Sequence, residues 1–273
     1  MLYLISIGIS LISTKILLKV MKVILTKNNF MLDNYKNKKI PTALGIVFPL
    51  SYIAVILPLL FYINTPIYII SLTYLCWGFS FLGLLDDFFG RDTSKGFGGH
   101  LKAFLFKKII TTGLLKAFFG LILSFKIAVV LYVVNSTSVY QLFVNGFVIA
   151  LSANAMNSLD LRPGRAGKIF LILGFLSIFY TQNWQGLHLI PLIISVLIYL
   201  PGDLKAEYML GDTGANTLGA FLGGYAVFFF SFEINIFLLI GLIFFHILTE
   251  IVSLSKLIEK TPIISHIDNW GRS

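Results

Sequence analysis

The sequence is poor in charge and in cysteine. Only 12% of its 273 residues are Asp, Glu, Lys or Arg, whereas 57% are hydrophobic, a balance far from that of a water-soluble domain. The one cysteine, Cys76, excludes an internal disulfide and a metal site of the Cys-x-x-Cys type. Basic residues exceed acidic ones by 21 to 12, but no dense basic run accompanies a soluble fold. We therefore expect a membrane protein with no nucleic-acid partner.

Long apolar runs predict the fold. A helix that crosses a bilayer needs about 20 mainly apolar residues, and this criterion predicts an all-α, polytopic integral membrane protein with about nine transmembrane helices. We interpret residues 1–273 as a single transmembrane domain. The fourth run contains Lys116 and Lys126, which predicts a shorter helix followed by an extended segment through Val134. The predicted spans are 2–24, 44–62, 67–85, 109–131, 139–156, 168–181, 187–202, 214–231 and 235–254.

The distribution of lysine and arginine predicts the orientation. Loops and helix ends on the cytoplasmic side retain Lys and Arg, and of the 21 such residues only Lys126 lies toward the opposite side of the predicted helices. No charge precedes the first apolar run and no small-residue cleavage site follows it, so we interpret it as a retained helix. We expect a plasma-membrane protein with its N-terminus outside and its C-terminus in the cytoplasm.

An aspartate pair, Asp86 and Asp87, directly follows the third apolar run. Neighbouring carboxylates repel each other, which favours protonation of one of them or binding of a cation such as Mg²⁺. At a helix C-terminus they also oppose the helix dipole. The pair therefore suits proton transfer or metal binding better than a purely stabilising role.

The second polar motif ends the fifth predicted helix. Asn154, Asn157 and Asp160 are three residues apart and share one helical face. Asparagines in a membrane can bond helices to one another, but the added aspartate favours a hydrophilic site. The segment that follows, 162–168, contains Arg162, Arg165, a lysine and two glycines, which is a suitable setting for an anion at a helix start.

The third motif, Gly211-Asp212-Thr213-Gly214, precedes the eighth predicted helix. Asp212 is a good helix N-cap, and the flanking glycines allow the close backbone approach that phosphate and metal sites need. The sequence leaves both interpretations open.

Weaker signals lie on the same side of the membrane. Lys102 either snorkels or binds a phosphate as a point charge, and Lys39 and Thr42 flank a proline ahead of the second helix. His246 and Glu250 lie four residues apart in the ninth helix, where they either bond helices or line a groove.

Taken in order, the three motifs resemble the polyprenyl-phosphate N-acetylhexosamine-1-phosphate transferase superfamily, whose bacterial members include the phospho-N-acetylmuramoyl-pentapeptide transferase of peptidoglycan synthesis. The resemblance spans nearly the whole chain. It implies Mg²⁺-dependent transfer of a sugar-1-phosphate from a nucleotide-sugar, of the UDP-N-acetylhexosamine type, to a polyprenyl phosphate in the bilayer, with release of UMP. The product would be a lipid-linked precursor of a cell-envelope glycan such as peptidoglycan.

The resemblance also implies roles for individual residues. Asp212 would be the main Mg²⁺ ligand with Asn157 near it, and Asp86 would deprotonate or orient the lipid phosphate. Asp87 and Asp160 would complete the catalytic site, and Lys102 would hold a phosphate oxygen. The expected substrate-binding residues are Lys39, Thr42, Asn154, Arg162, Arg165, Glu250 and His266.

The sequence departs from the family pattern at three places. Pro163 replaces an acid or amide of the middle signature, the last loop has one histidine, His266, instead of a cluster, and no tenth helix follows. We therefore interpret the chain as a divergent or shortened member. A non-catalytic polyprenyl-phosphate binding or transport protein is the alternative, and a homodimer is left open. A small-molecule transporter is disfavoured because transport sites usually lie at the midplane of the bilayer.

Overall fold

The computed structural model describes residues 2–60, 66–90, 111–181 and 188–272. Within these residues the protein is almost entirely helical, which confirms the predicted all-α class. A short antiparallel hairpin of β1 (Met31–Asp33) and β2 (Lys39–Pro41), followed by a 3₁₀ turn (Leu44–Ile46), connects the first two helices. The longer helices are α1 (Leu2–Lys27), α2 (Val47–Leu60), α3 (Ile67–Phe89), α4 (Thr112–Asn135), α5 (Val139–Leu159), α6 (Arg165–Thr181), α7 (Ile190–Leu204), α8 (Gly211–Phe229) and α9 (Phe232–Ile251), and the short ones are α10 (Leu254–Lys260) and α11 (Pro262–Asn269).

Five of the helices, α1, α3, α4, α5 and α9, are long and apolar enough to cross a membrane. Each predicted span overlaps one helix of the described residues, while nine crossings and the orientation of the termini stay predictions. The expectation for the fourth span was wrong in one respect. Helix α4 continues without interruption to Asn135 instead of becoming extended before Val134, because its apolar residues satisfy their backbone bonds within the helix.

Helix α8 lies at the centre of the bundle, packed most extensively against α3 and α5. Its residues from Thr213 to Phe221 are all buried. Glycines make this close packing possible, since a Cβ on Gly83 of α3 would collide with the backbone carbonyl of Asp212, and one on Gly45 would collide with the backbone of Gly214. The start of α8 is therefore fixed against two neighbouring segments of the chain.

A cluster of hydroxyl groups joins α1, α2 and α7 inside the bundle. Thr14 Oγ1 lies 2.8 Å from Ser51 Oγ and 2.9 Å from Ser195 Oγ, and the two serine oxygens are 3.0 Å apart. Ser10 Oγ donates to the Pro191 carbonyl at 2.7 Å. All four hydroxyl residues, Ser10, Thr14, Ser51 and Ser195, are fully buried. Such neutral contacts bond membrane helices to one another.

The C-terminal ends of α3 and α5, the first turns of α4 and the start of α8 meet at one end of the bundle, here called the polar end. The segment after β2 closes against it. Pro41 O accepts a hydrogen bond from Met209 N–H at 2.8 Å, and Leu210 O accepts one from Gly45 N–H at 3.1 Å. The hairpin is thereby held beside the start of α8.

Candidate functional site

Asp87 caps helix α8 from a different helix. One of its carboxylate oxygens accepts a hydrogen bond from Asp212 N–H at 3.0 Å. The other accepts from Thr213 N–H at 2.9 Å and from the Thr213 hydroxyl at 2.6 Å. A carboxylate at a helix N-terminus satisfies free N–H groups and complements the helix dipole. The N-cap that the sequence offered to Asp212 is therefore supplied by Asp87, which also has the stabilising role that our sequence argument had discounted.

Asp212 directs its carboxylate toward a second group of residues, here called the acid–lysine cluster: Asp86, Lys116, Asn157 and Asp212. Lys116 Nζ donates to Asp86 Oδ2 at 2.9 Å and also to Asp212 Oδ2. Asn157 Nδ2 donates to Asp212 Oδ2 at 3.1 Å. The side chains come from α3, α4, α5 and α8. The structure thus brings together Asp86, Asn157 and Asp212, which are far apart in the sequence.

Sequence reasoning did not assign Lys116 to the site. It lies in the second turn of α4, where we treated it as an irregularity of an apolar helix and gave the role of phosphate ligand to Lys102 instead. Lys102 lies outside the described residues. The available signal was the position itself, because an ionisable residue in an apolar helix usually faces a polar interior rather than lipid. The side chain of Lys116 is indeed only 17% exposed.

A cavity of about 240 Å³ adjoins the acid–lysine cluster at the polar end. Among the described residues that line it, five are aspartates and the one lysine or arginine is Arg162, so its charge favours a cation. Thr42, buried at the end of the hairpin, also lines it. Its aspartates are Asp33, Asp87, Asp160, Asp203 and Asp212.

Asp160 and Asp203 lie on the wall of this cavity. Burial, together with the nearby carboxylates of Asp203, Asp212 and Asp87, raises the pKa of Asp160 well above its usual value. Asp203 is buried and accepts a hydrogen bond from Gly164 N–H at 2.8 Å. It therefore holds the 161–164 segment, which passes the cavity. Sequence reasoning missed Asp203 because it stands outside the three motifs.

Comparison with known proteins finds several relatives that carry the same enzyme name. The chain is 24% identical to the phospho-N-acetylmuramoyl-pentapeptide-transferase of Borreliella afzelii, over 86% of this chain and 75% of the relative. It is 27% identical to the enzyme of the same name from Dictyoglomus thermophilum, over 71% and 61%, and 25% identical to that of Borreliella burgdorferi, over 86% and 75%. No family model matches the chain. Over most of its length the chain is thus similar to enzymes of the polyprenyl-phosphate hexosamine-1-phosphate transferase family, as a divergent relative.

This similarity confirms the resemblance carried by the three motifs. Two arginines that follow the second motif, Arg162 and Arg165, were both predicted to bind substrate. Arg162 lines the cavity, with its guanidinium 5.4 Å from the centre of the Tyr35 ring. Arg165 is only 3% exposed and forms two hydrogen bonds of 2.8 Å with Asp268. The structure therefore places Arg162 beside the cavity, with its guanidinium 3.7 Å from the exposed carboxylate of Glu259, and engages Arg165 with α11.

The remaining predicted substrate-binding residues lie outside the cavity lining. All of them are exposed, and they belong to four different elements. They are Lys39 on β2, Asn154 on α5, Glu250 on α9 and His266 on α11.

The acid–lysine cluster suits a hard divalent cation only in part. Asp86 and Asp212 offer carboxylate oxygens, and Asn157 offers an amide oxygen once its side chain rotates. Mg²⁺ is commonly held by one or two carboxylates together with water and substrate phosphates. Among the described residues no group of three or more His, Cys, Asp or Glu side chains is placed to hold a metal. The arrangement therefore fits an ion that shares its ligands with a phosphate-bearing substrate.

Proposed function

We propose that this protein transfers a sugar-1-phosphate from a nucleotide-sugar, of the UDP-N-acetylhexosamine type, to a polyprenyl phosphate in the plasma membrane. The product is a lipid-linked precursor of a cell-envelope glycan, and UMP is released. The observation that carries this proposal is the meeting of Asp86, Lys116 and Asp212 beside a cavity lined by Asp160 and Arg162. The names of the relatives support the same reaction class.

The reaction explains why charges of both signs are needed. An oxygen of the lipid phosphate attacks the phosphorus that carries the sugar, a new P–O bond forms, and the P–O bond to the nucleoside phosphate breaks. Both reactants are anions, so cationic groups must offset their repulsion. The Lys116 ammonium has three donors, and two of them contact Asp86 and Asp212. The third is directed, in our proposal, to a phosphate oxygen.

In our proposal the donor enters the cavity together with a divalent cation, which offsets the negative charge of the aspartates that line it. Its volume of about 240 Å³ is walled by Arg162, Asp160 and Thr42. In our proposal Arg162 contacts the diphosphate or an acidic part of the donor, and Asp160 lies on the same wall of the cavity. The nucleotide enters from the cytoplasm, and the lipid phosphate approaches along the bilayer.

Mg²⁺ is the proposed cofactor, with Asp212 and Asp86 as its carboxylate ligands and Asn157 beside them. When bound, the ion supplies further positive charge to the phosphates. Asp86 has a second task in this proposal, since it orients the lipid phosphate while it is held by Lys116. Asp87 acts through the backbone, because it fixes the first turn of α8 and thereby places the Asp212 carboxylate.

The experiment is a transfer assay with the purified full chain in detergent or vesicles. Radiolabelled UDP-sugars, undecaprenyl phosphate and Mg²⁺ are expected to give a lipid-soluble product, which chelation of the metal and Asp212→Ala each abolish. Glu207→Gln is the matched control, because Glu207 is an exposed carboxylate paired only with Lys22 in the described contacts, and it should leave the rate unchanged.

The outcome distinguishes the main alternative. If a panel of UDP-sugars yields no product, the proposal of an active transferase is wrong. Binding of undecaprenyl phosphate without release of UMP would instead support a polyprenyl-phosphate binding or transport protein built on the same fold.

A further inference from the structure

The last helix, α11, has an apolar face that no other described element covers. Ile263, Ile267 and Trp270 follow one another at spacings of four and three residues, so they lie along one side of the helix and its end. Their exposures are 75%, 48% and 74%. Contiguous exposed apolar surface of this kind indicates a contact with a membrane or another molecule.

The opposite side of α11 is fixed to the protein by a group of residues here called the C-terminal clamp: Arg165, Lys168, Asp268 and Arg272. Both carboxylate oxygens of Asp268 accept hydrogen bonds from Arg165 at 2.8 Å. Arg272 donates to the same two oxygens at 2.8 and 3.0 Å. The carboxylate of Asp268 is thereby surrounded by two guanidinium groups.

Lys168 completes the clamp at the end of the helix. Its ammonium donates to the carbonyl oxygens of Ile267, Asp268 and Trp270 at 3.0, 2.8 and 2.6 Å. A cation that satisfies the last carbonyls of a helix stabilises that end and complements the helix dipole. The orientation of α11 is therefore set, and its apolar face points away from the clamp.

The clamp also defines the depth of α11 relative to the bundle. Arg165 and Lys168 lie in the first turn of α6. The exposed apolar surface of α6 begins at Ile172, seven residues after Arg165, which corresponds to about 10 Å along the helix axis. That distance is comparable with the headgroup layer on each side of a bilayer, which is about 5–8 Å thick. Helix α11 is thus held about 10 Å, measured along α6, from the start of this exposed apolar surface.

The composition of the face and its neighbours favours lipid over a protein partner. Isoleucine on one face with tryptophan at the end is typical of helices that lie in the membrane interface. Lys256 and Lys260 of the preceding helix, α10, are exposed, and such cations attract anionic headgroups. Helix α10 itself begins shortly after α9, a candidate membrane span that ends at Ile251.

We infer that α11 is an interfacial helix, whose Ile263, Ile267 and Trp270 side chains insert into the boundary between headgroups and acyl chains on the side of the polar end. The clamp makes this contact relevant to the cavity. Arg272 Nε donates to the Pro163 carbonyl at 2.7 Å. Helix α11 therefore helps to position the segment beside Arg162. The bilayer surface thereby becomes a support for one wall of the cavity.

The test places a fluorophore on the face. In the full chain, Trp77 and Trp184 are replaced by phenylalanine so that Trp270 remains, and the protein is reconstituted in vesicles of phosphatidylethanolamine and phosphatidylglycerol. Lipids labelled with a quencher at a shallow or a deep acyl position are then compared with acrylamide in the water. We expect strong quenching of Trp270 by the shallow label and weaker quenching by the deep label and by acrylamide.

Two results would overturn the inference. Full quenching by acrylamide with none by labelled lipid would place Trp270 in water, and shielding from both would place it against a protein surface such as a second copy. Asp268→Asn in the single-tryptophan chain should reduce quenching by the shallow label, because it weakens the clamp. Ile263→Ser with Ile267→Ser provides a second variant that leaves the clamp intact, and it should have the same effect on quenching without a loss of folding.

Discussion

The acid–lysine cluster and the C-terminal clamp are both assemblies of carboxylates and cations, but their proportions are reversed. In the clamp, two guanidinium groups surround the single carboxylate of Asp268, which is 9% exposed. In the acid–lysine cluster, one ammonium serves the two carboxylates of Asp86 and Asp212, and further aspartates line the cavity beside it.

This difference separates a structural ion pair from a site. The oxygens of Asp268 are saturated with donors, so nothing remains for a ligand to satisfy. The carboxylates of Asp86 and Asp212 share one cation, Lys116, among the described residues, and an added cation would relieve their repulsion. The comparison predicts that substitutions in the cluster change chemistry, whereas those in the clamp change stability.

The largest effect is expected for Asp212→Asn. This change keeps the shape of the side chain and removes the charge proposed to hold Mg²⁺, so the transfer rate should fall about 10³-fold, or about 4 kcal/mol. The melting temperature in detergent should stay close to that of the parent, because Lys116 keeps its bond to Asp86. Retention of more than a tenth of the activity would contradict the assignment of Asp212.

Asp268→Asn should show the reverse pattern. Breaking a buried ion pair leaves Arg165 with an uncompensated charge, which typically costs about 3 kcal/mol of stability. We expect a clear fall in the melting temperature, while the activity of the molecules that remain folded decreases much less than in Asp212→Asn. Equal losses of activity in the two variants would mean that the comparison between clamp and cluster is wrong.

Lys116→Met tests the ammonium of the cluster. It removes the donor proposed for a phosphate oxygen, and the transfer rate should fall about 10²-fold. The variant also leaves Asp86 facing Asp212 without compensation, so added Mg²⁺ or Mn²⁺ should raise its melting temperature more than that of the parent.

Lys126→Met is the matched control on the same helix. Lys126 lies ten residues further along α4, where its ammonium is 4.7 Å from the centre of the Tyr74 ring. It should leave both the rate and the response to divalent ions unchanged. If the two lysine variants behave alike, Lys116 has no special role.

Sequence reasoning identified the elements better than their contacts. The apolar runs were sufficient for the helices because helix formation in lipid depends on local composition. The three motifs indicated one polar end because successive helices alternate in direction. The capping of α8 by Asp87 could not be predicted from the sequence, because it depends on the register of α3 against α8. The close approach of the two helices at Gly83 fixes that register.

The two arginines illustrate the same limit. Arg162 and Arg165 are three residues apart and looked equivalent in a basic segment. Their environments differ because α11, about 100 residues later in the chain, packs against Arg165. Lys116 was overlooked for a related reason, because its partners, Asp86 and Asp212, come from two other helices. Pairings over long distances in the sequence decide which charges are structural and which belong to the site.

The smallest effect is expected from the pH dependence of the clamp. Burial opposes ionisation of Asp268, but the hydrogen bonds from Arg165 and Arg272 outweigh it and lower its pKa from 3.8 to about 2. A carboxyl whose pKa is lowered by folding contributes stability above its unfolded pKa and loses it as the pH falls through the folded one. The difference in melting temperature between the parent chain and Asp268→Asn should therefore be constant from neutral pH to about pH 5. It should shrink below pH 4 and nearly vanish toward pH 2, because the protonated aspartic acid then resembles the amide. A difference that already shrinks between pH 7 and 5 would assign the stability to another group and would weaken the contrast between a saturated and an unsaturated carboxylate.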